Sequence, residues 1–160
     1  METIQFKEHL SRLVSGVSVI LVTQGDEIFG CTIGSLSASN ITNPEVMFTL
    51  TSTSQVGLWI RKNQKFSISV LASGQEDIAK LFSGPRPSFR LSDSEEFINQ
   101  TSEKDTNFVT IRNSSQTYRC VFTESVKRDL SEIFFGEVID GTITDTIPLI
   151  YLKRKYLNLD

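Results

Sequence analysis

The residues of this chain best suited to bind a ligand form a run of small hydroxyl side chains in a segment with almost no charge. The stretch GCTIGSLSASNITNP, residues 30–44, contains Thr32, Ser35, Ser37, Ser39 and Thr42. Hydroxyl groups both donate and accept hydrogen bonds, so they suit a ligand that is rich in oxygen and nitrogen atoms. They are equally common on a solvent-exposed sheet face, and the segment by itself leaves both interpretations open.

A second group of hydroxyl side chains lies in TSTSQ, residues 51–55, directly before a stretch typical of a short helix. The hydroxyls of Ser52, Thr53 and Ser54, with the free amides of a helix N-terminus, can hold a phosphate without a lysine-rich motif. Hydroxyl residues also cap helices routinely, and the two roles are compatible. Gly34, in the first segment, predicts a point where a ligand approaches the backbone closely.

Composition and charge limit the classes of function. The chain has 160 residues, 39% of them hydrophobic, a formal net charge of -3 and a pI of about 5.2. This length predicts a single domain over residues 1–160. The acidic balance argues against binding to nucleic acid or to an anionic membrane. Cys31 and Cys120 lack CxxC spacing and a neighbouring histidine, so we expect buried thiols, a reducing compartment and no metal site. Because the sequence shows no signal peptide or membrane span, we expect a cytoplasmic protein.

The hydrophobic pattern predicts that these residues are positioned by a scaffold made mainly of strands. Phe6, Leu10, Leu13 and Val14 have helical spacing, which predicts a first helix, capped by Gly16, with its apolar side against a sheet. Strand patterns run from VSVILVT to PLIYLKRKYLNL, with two further short helices between them. Residues 83–105 predict a long excursion, either a lid or a dimer arm. Short strands without strand-helix alternation favour an antiparallel barrel or sandwich over a doubly wound fold.

The order of these segments resembles the flavin reductase family. The resemblance rests on FKEHLSRLVSGVSVI, GCTIGSLSASNITNPEVMFTL, STSQVGLWIRKNQKFSISVL and a late IFFGEV. It runs from about Phe6 to Leu159 and is weakest between Pro85 and Val109. It implies a mainly β fold, an FMN-binding antiparallel split β-barrel of the Greek-key type with a few short helices. It also implies NAD(P)H:flavin oxidoreductase activity, as in the reductase components of two-component monooxygenases.

The resemblance further implies which residues bind the cofactor. In the family, the strand that matches residues 32–37 lies along the flavin, and the serine-rich turn that matches TSTSQ, residues 51–55, approaches its phosphate. A basic residue beside an aromatic one often follows in the loop that matches SFR, where Lys80 and Arg90 are further candidate cations and solvated surface charge is the alternative. The implied flavin-binding residues are Thr32, Ile33, Gly34, Ser35, Ser52, Thr53, Ser54, Gln55, Arg86 and Phe89.

The main departure from the family pattern lies just before the IFFGEV strand. Family members that reduce flavin commonly have Gly-Asp-His there, with the histidine near the flavin and the nicotinamide. This chain has Asp129, Leu130 and Ser131 instead. Ser131 and Tyr156 are therefore the candidate residues of the nicotinamide site. Because the cofactors carry the hydride chemistry, we expect no catalytic acid or base.

Three functions are compatible with the sequence. The first is an NAD(P)H-dependent reductase that uses FMN, with FAD possible, and supplies reduced flavin to an oxygenase or another acceptor. The second is an FMN-binding protein with little or no reductase activity, which the missing histidine favours. The third is a barrel without a ligand. We also expect a homodimer, because family members place the flavin near a two-fold interface and because Phe89, Phe97 and Tyr156 would be hard to cover in a small monomer.

Overall fold

The structure is a computed structural model that describes residues 1–84, 88–100 and 108–159. Three α-helices and a 3-10 helix at Leu91–Asp93 accompany the strands. The helices are α1 (Thr3–Ser11), α2 (Gln55–Asn63) and α3 (Glu76–Ser83). The strands are β1 (Ser15–Gly16), β2 (Ser18–Gln24), β3 (Glu27–Ile33), β4 (Ser37–Asn40), β5 (Glu45–Thr51), β6 (Lys65–Val70), β7 (Ser88–Arg90), β8 (Ile98–Gln100), β9 (Val109–Ile111), β10 (Gln116–Arg128), β11 (Ser131–Ile143), β12 (Ile150–Leu152) and β13 (Lys155–Leu157).

The described strands form one large antiparallel sheet and two small ones. The large sheet has the order β4-β5-β11-β10-β6-β2-β3-β7, and the small sheets are β1-β12-β13 and β8-β9. Each neighbouring pair is antiparallel. The prediction of a mainly β, antiparallel fold with short helices is therefore confirmed, while the split-barrel closure stays a prediction.

Strand β2 lies at the centre of the core because both of its faces are buried. Ile20 and Val22 belong to the cluster that also contains Val56 and Ile60 of helix α2. Val19 and Leu21 point to the opposite cluster, which contains Ala79 and Phe82 of helix α3. Alternate side chains of a strand point to opposite faces, so an unbroken apolar run can bury both. Helices α2 and α3 consequently cover opposite faces of the sheet beside β2 and β3.

Helix α1 differs from its prediction. It ends at Ser11, and Gly16 lies in β1 instead of capping it. None of its residues is buried: Phe6 in the helix is 53% exposed, and Leu13, which follows the helix end, is 64% exposed. The predicted apolar side therefore exists in the sequence but does not pack on the sheet of its own chain.

The long excursion after α3 also differs from its prediction where the structure describes it. Strand β7 extends the edge of the large sheet by pairing with β3. Ser94 and Ile98 are buried, and Ile98 belongs to the core cluster of α3. The described part is thus packed into the domain instead of standing off it as a lid or an arm. Among the described residues, no helix is long and apolar enough to cross a membrane.

The last predicted strand is a hairpin. The pattern PLIYLKRKYLNL divides into β12 and β13, which reverse direction at Lys153 and Arg154. Both turn residues have positive φ, 49° and 61°, as the tight two-residue connection requires. This reversal places Tyr156 directly opposite Tyr151.

Candidate functional site

Two adjoining cavities bring the predicted segments together. The larger, of about 340 Å³, lies between β3, the start of α2 and the end of α3. The smaller, of about 190 Å³, lies between the end of β3 and the β12-β13 hairpin. Thr32 and Ser83 line both. The other lining residues are Gly30, Cys31, Ser54, Gln55, Val56, Phe82 and Gly84 in the larger cavity, and Ser15, Val17, Ile33, Gly34, Tyr151 and Tyr156 in the smaller.

The hydroxyl of Thr32 is already engaged within the protein. It donates a hydrogen bond of 2.7 Å to the backbone carbonyl oxygen of Ala79 in α3. A hydroxyl oxygen still has lone pairs after donating its proton, so Thr32 remains a possible acceptor for a ligand. Its first role is to join strand β3 to helix α3 at the junction of the cavities.

Gly34 lines the smaller cavity, but its backbone is approached by the protein itself. A Cβ atom at this position would lie 2.8 Å from Ser15 Oγ. The absence of a side chain therefore admits Ser15 of β1 to the cavity wall. Contact with a ligand is not needed to explain this glycine, so the residue type alone does not support the predicted ligand approach.

Ser35 lies outside both cavities and ties the chain after β3 to strand β5. Its hydroxyl oxygen accepts a hydrogen bond of 3.0 Å from the backbone N–H of Thr49. The same hydroxyl lies 3.4 Å from the carbonyl oxygen of Thr49, which it donates to. Four residues of this segment, 32–35, are predicted to bind flavin. The structure places Thr32, Ile33 and Gly34 in the wall of the smaller cavity and Ser35 outside both cavities.

The turn before α2 supplies a capped helix start at the larger cavity. Ser54 is the N-cap residue, and its hydroxyl oxygen accepts a 3.3 Å hydrogen bond from the N–H of Gly57. Gln55 and Val56 follow at the first helical positions, where a backbone N–H has no acceptor within the helix. The hydroxyl proton of Ser54 is not used by the cap. The site thus offers several neutral donors, and both interpretations of Ser54, cap and ligand contact, remain compatible.

Ser52 and Thr53 precede this cap without lining the cavity. The N–H of Ser52 donates a 3.0 Å hydrogen bond to the carbonyl oxygen of Leu130, in the turn between β10 and β11. Ser131 follows Leu130 and lies opposite Thr51 in the sheet. The hydroxyl of Ser131 donates to the carbonyl oxygen of Arg128 over 3.1 Å. The structure therefore brings Ser131 beside the predicted phosphate turn.

The two candidate nicotinamide residues lie on different elements and do not share a cavity. Tyr156 lines the smaller cavity, and its ring centroid is 5.2 Å from that of Tyr151. Ser131 lines neither cavity. Tyr156 is also half-buried within its own chain, which removes it from the argument for a dimer.

Phe89 is half-buried and packs against the core cluster of α3. Its ring packs edge-on against Phe82 and Phe97, with centroids 5.3 and 6.1 Å away. Phe89 and Phe97 are thereby partly covered within the chain, which weakens the expectation that a partner is needed to cover them. Phe89 lines neither cavity, so its predicted contact with flavin has no support in the geometry.

The predicted cations contribute nothing visible to the cavities. Arg86 lies outside the described residues. Lys80 is 3.8 Å from a carboxylate oxygen of Glu76 and 3.7 Å from one of Asp77, on its own helix. Of the described residues, no side chain with a formal charge lines either cavity. Within the described part of the chain, an anion would therefore be held by hydroxyl and amide groups.

Sequence reasoning missed several wall residues, because they come from distant elements. Ser83 and Phe82 arrive from α3, Ser15 from β1 and Tyr151 from the C-terminal hairpin. None has a local signal that separates it from an ordinary helix or strand residue. Cys31, treated as a buried thiol, lines the larger cavity. Burial raises its pKa to about 12, so it is a neutral thiol at physiological pH.

The comparisons with known proteins agree with the geometry. Residues 10–160 match the family described as "Flavin reductase like domain". No curated protein sequence matches the chain. Among solved structures, the chain is similar to the NADH:FAD oxidoreductase SgcE6 of Streptomyces globisporus, with a TM-score of 0.87, 19% identity and coverage of 99% of this chain and 94% of that one.

Two further solved structures have the same fold. The flavin reductase PheA2 has a TM-score of 0.83 and 19% identity, with 100% of this chain and 99% of that chain covered. BorF, the flavin reductase component of a bacterial two-component tryptophan halogenase, has a TM-score of 0.88 and 17% identity, with 99% and 98% covered. Because the family match spans nearly the whole sequence, this chain belongs to the flavin reductase like domain family.

Proposed function

We propose that this protein is an NAD(P)H-dependent flavin reductase that binds FMN in the two adjoining cavities. The observation that carries the proposal is that β3 and the α2 turn, which are separated in sequence, line two adjoining cavities that share Thr32 and Ser83. Membership of the flavin reductase like domain family supports a flavin as the ligand of these cavities. We take residues 1–160 as a single domain with this one site.

The start of α2 suits the phosphate end of the cofactor. The amide groups of Gln55 and Val56 are directed by the helix start, and a helix N-terminus favours an anion. The hydroxyl of Ser54 lies on the same wall, with Ser52 and Thr53 in the preceding turn. Arg86, two residues beyond the lining residue Gly84, is our candidate for a cation near this end.

The smaller cavity suits the ring end. Ile33, Gly34 and the rings of Tyr151 and Tyr156 line it together with the hydroxyl groups of Ser15, Thr32 and Ser83. Such a mixture of apolar surface and hydrogen-bonding groups suits an isoalloxazine ring, whose edge carries carbonyl oxygens and ring nitrogens. When bound, a flavin supplies the hydride acceptor and NAD(P)H supplies the hydride. The protein's part is to orient both rings and exclude water, which needs no acid or base of its own.

The solved relatives support this assignment of ligand class. One SgcE6 structure is a complex with NAD and FAD fragments, and BorF is the reductase component of a two-component halogenase. We infer that the protein delivers reduced flavin to a separate oxygenase or to another acceptor. FMN is our first choice of flavin, and FAD the second.

A second function is favoured by one specific observation. Ser131 stands where reductases of the family commonly have histidine, and its short hydroxyl bonds locally to Arg128. A protein with this substitution would bind FMN as a stable group and react slowly with NAD(P)H. We rank this below the reductase, because hydride transfer does not depend on that side chain.

We also propose a homodimer and a cytoplasmic location. The aromatic side chains first expected at a dimer interface are partly buried in the chain, whereas the apolar residues of α1 and of the segment directly after it are exposed. Phe6, Leu10, Leu13 and Val14 are all exposed, and burying them against a second copy would remove this apolar area from water. Cys31 and Cys120 are free thiols, as suits a reducing compartment.

The decisive experiment is a flavin titration followed by addition of reductant. Purified protein is titrated with FMN while flavin fluorescence is followed, and NADH or NADPH is then added without oxygen while the yellow absorbance is recorded. Micromolar or tighter binding and loss of colour support the reductase. Binding with negligible bleaching supports the second function. No binding to FMN or FAD at high protein concentration overturns both.

A further inference from the structure

Glu132 is a buried carboxylate that is hydrogen-bonded to helix α2. Its side chain, on β11, is 1% exposed. One carboxylate oxygen accepts a 2.7 Å hydrogen bond from Arg61 in the last turn of α2. The other oxygen accepts a 2.6 Å hydrogen bond from the hydroxyl of Ser125 on β10. Both oxygens of the buried anion are therefore satisfied.

Stability alone is a weak reason for such a group. Removing a carboxylate from water is costly, and the attraction of its partner commonly no more than balances that cost. Well-packed apolar residues of similar volume often serve as well or better. What an ion pair adds is geometry, since the guanidinium and the carboxylate must meet at one distance and one orientation.

The β10-β11 hairpin contacts α2 and the turn before it at three points. Before the helix, the N–H of Ser52 bonds to the carbonyl oxygen of Leu130. In the first turn, Gly57 lies so close to Phe134 that a Cβ atom there would be 2.8 Å from the ring carbon Cζ. At the end, Arg61 bonds to Glu132, and its guanidinium lies 5.7 Å from the ring centroid of Phe134.

We propose that Glu132 and Arg61 are positioning residues that fix the N-terminus of α2 in the flavin site. A short helix held at its far end by a directional contact has little freedom to tilt or slide. Ser54, Gln55 and Val56, at the other end, form part of the wall of the larger cavity. The pair thus acts on ligand binding through the orientation of α2, without touching the ligand. This inference rests on the proposed function.

The test replaces the ion pair by an apolar pair. The double variant Arg61→Met with Glu132→Leu leaves no unpaired buried charge, so we expect a folded protein with nearly unchanged thermal stability. We expect its FMN dissociation constant to rise about tenfold, the size typical of coupling between neighbouring sites. The KM for flavin should rise with it, while kcat at saturating flavin stays the same. The single variant Arg61→Lys keeps the positive charge opposite Glu132 and should therefore lose less FMN affinity than the double variant.

The matched control removes a different ion pair, one that lies within the β10-β11 hairpin itself. Arg119 on β10 forms an ion pair with Asp140 on β11. This pair lies in the part of the hairpin where β10 is hydrogen-bonded to β6. Arg119→Gln with Asp140→Asn should leave flavin affinity unchanged. An equal loss of affinity in both double variants would reduce the effect to general loosening of the hairpin and overturn the proposal.

A second readout separates this inference from the proposed function. Hydrogen exchange at the amides of Gly57 and Leu58, which bond to the hydroxyl and the carbonyl oxygen of Ser54, reports the order of the helix start without any ligand. Faster exchange in the apolar double variant supports positioning even if the wild type binds no flavin, in which case only the proposed function fails. If the double variant does not fold, Glu132→Gln takes its place. Unchanged exchange together with unchanged flavin affinity overturns the proposal.

Discussion

The hydroxyl of Thr32 donates a 2.7 Å hydrogen bond to the carbonyl oxygen of Ala79, which joins β3 to α3 where the two cavities meet. Thr32→Val keeps the shape of the side chain and leaves the buried carbonyl oxygen without this donor. Because Ser83 Oγ still donates to the same carbonyl oxygen, we expect a loss of about 0.5–1.5 kcal/mol in the free energy of unfolding, measured by urea denaturation. Thr49→Val, at an exposed strand threonine, is the control. Equal losses in both variants would contradict a specific role for the Thr32 bond.

Ser54 can be tested as a cap and as a ligand contact separately. Aspartate caps a helix as well as serine does, so Ser54→Asp should keep the stability that Ser54→Ala loses, about 1 kcal/mol. Its negative charge faces the proposed phosphate position, so FMN affinity should fall about tenfold or more. Riboflavin, which has no phosphate, should bind both proteins alike. Fluorescence titrations measure these affinities, and unchanged FMN binding by Ser54→Asp would exclude a phosphate at this helix.

We propose that the residue at position 131 affects how well the protein binds nicotinamide. A histidine in its place can add a hydrogen bond to NAD(P)H, and one such contact contributes about 1–3 kcal/mol, or roughly tenfold to a hundredfold in affinity. We expect the wild type to oxidise NAD(P)H slowly with a high KM, and Ser131→His to lower that KM. FMN affinity should stay the same, since Ser131 lines neither cavity. Steady-state kinetics of the two proteins test this, and identical KM and kcat values would show that Ser131 is not the nicotinamide contact.

The buried thiol of Cys120 predicts a loss of stability at alkaline pH. Burial raises its pKa from 9.0 to about 12. Above pH 9 the unfolded chain therefore releases a proton that the folded chain retains, and stability falls as pH rises towards 12. The contribution is about 1.4 kcal/mol per pH unit for this group. Urea unfolding across this range should give a shallower pH dependence for Cys120→Ala than for the wild type, and parallel curves would disprove the assignment.

The apolar side of α1 predicts how the chain associates. Leu10 is exposed in the single chain, and Leu10→Arg places a charge in the proposed interface between two copies. We expect sedimentation equilibrium to give a dimer for the wild type at micromolar concentration and a monomer for this variant. Lys7→Glu changes the charge on the same helix without changing the apolar side and should remain dimeric. A monomeric wild type in the presence of FMN would exclude the dimer.

The sequence by itself determined the elements and the family. The apolar run around Ile20 and Val22, the alternation in residues 65–70 and the amphipathic stretch around Val56 and Ile60 predict β2, β6 and α2 with nearly the observed bounds. Such patterns can be recognised from neighbouring residues alone. Side chains on one face of a strand recur at every second residue, and those on one face of a helix recur at every third or fourth residue. The segment order then sufficed for the family, which the match over residues 10–160 confirms.

Only the tertiary structure decided which residues share a wall and which hydroxyls are engaged. Thr32 and Ser35 are both small hydroxyl residues in the same segment, yet one lines the cavities and bonds to α3 while the other bonds to β5. Phe89 looked like a ligand contact and proved to be packed on Phe82. The pattern of apolar and polar residues along the chain indicates which side chains are buried, but not which distant segment they pack against. That choice is made when the sheet and helices pack, because only then do residues far apart in sequence compete for the same space and the same hydrogen bonds.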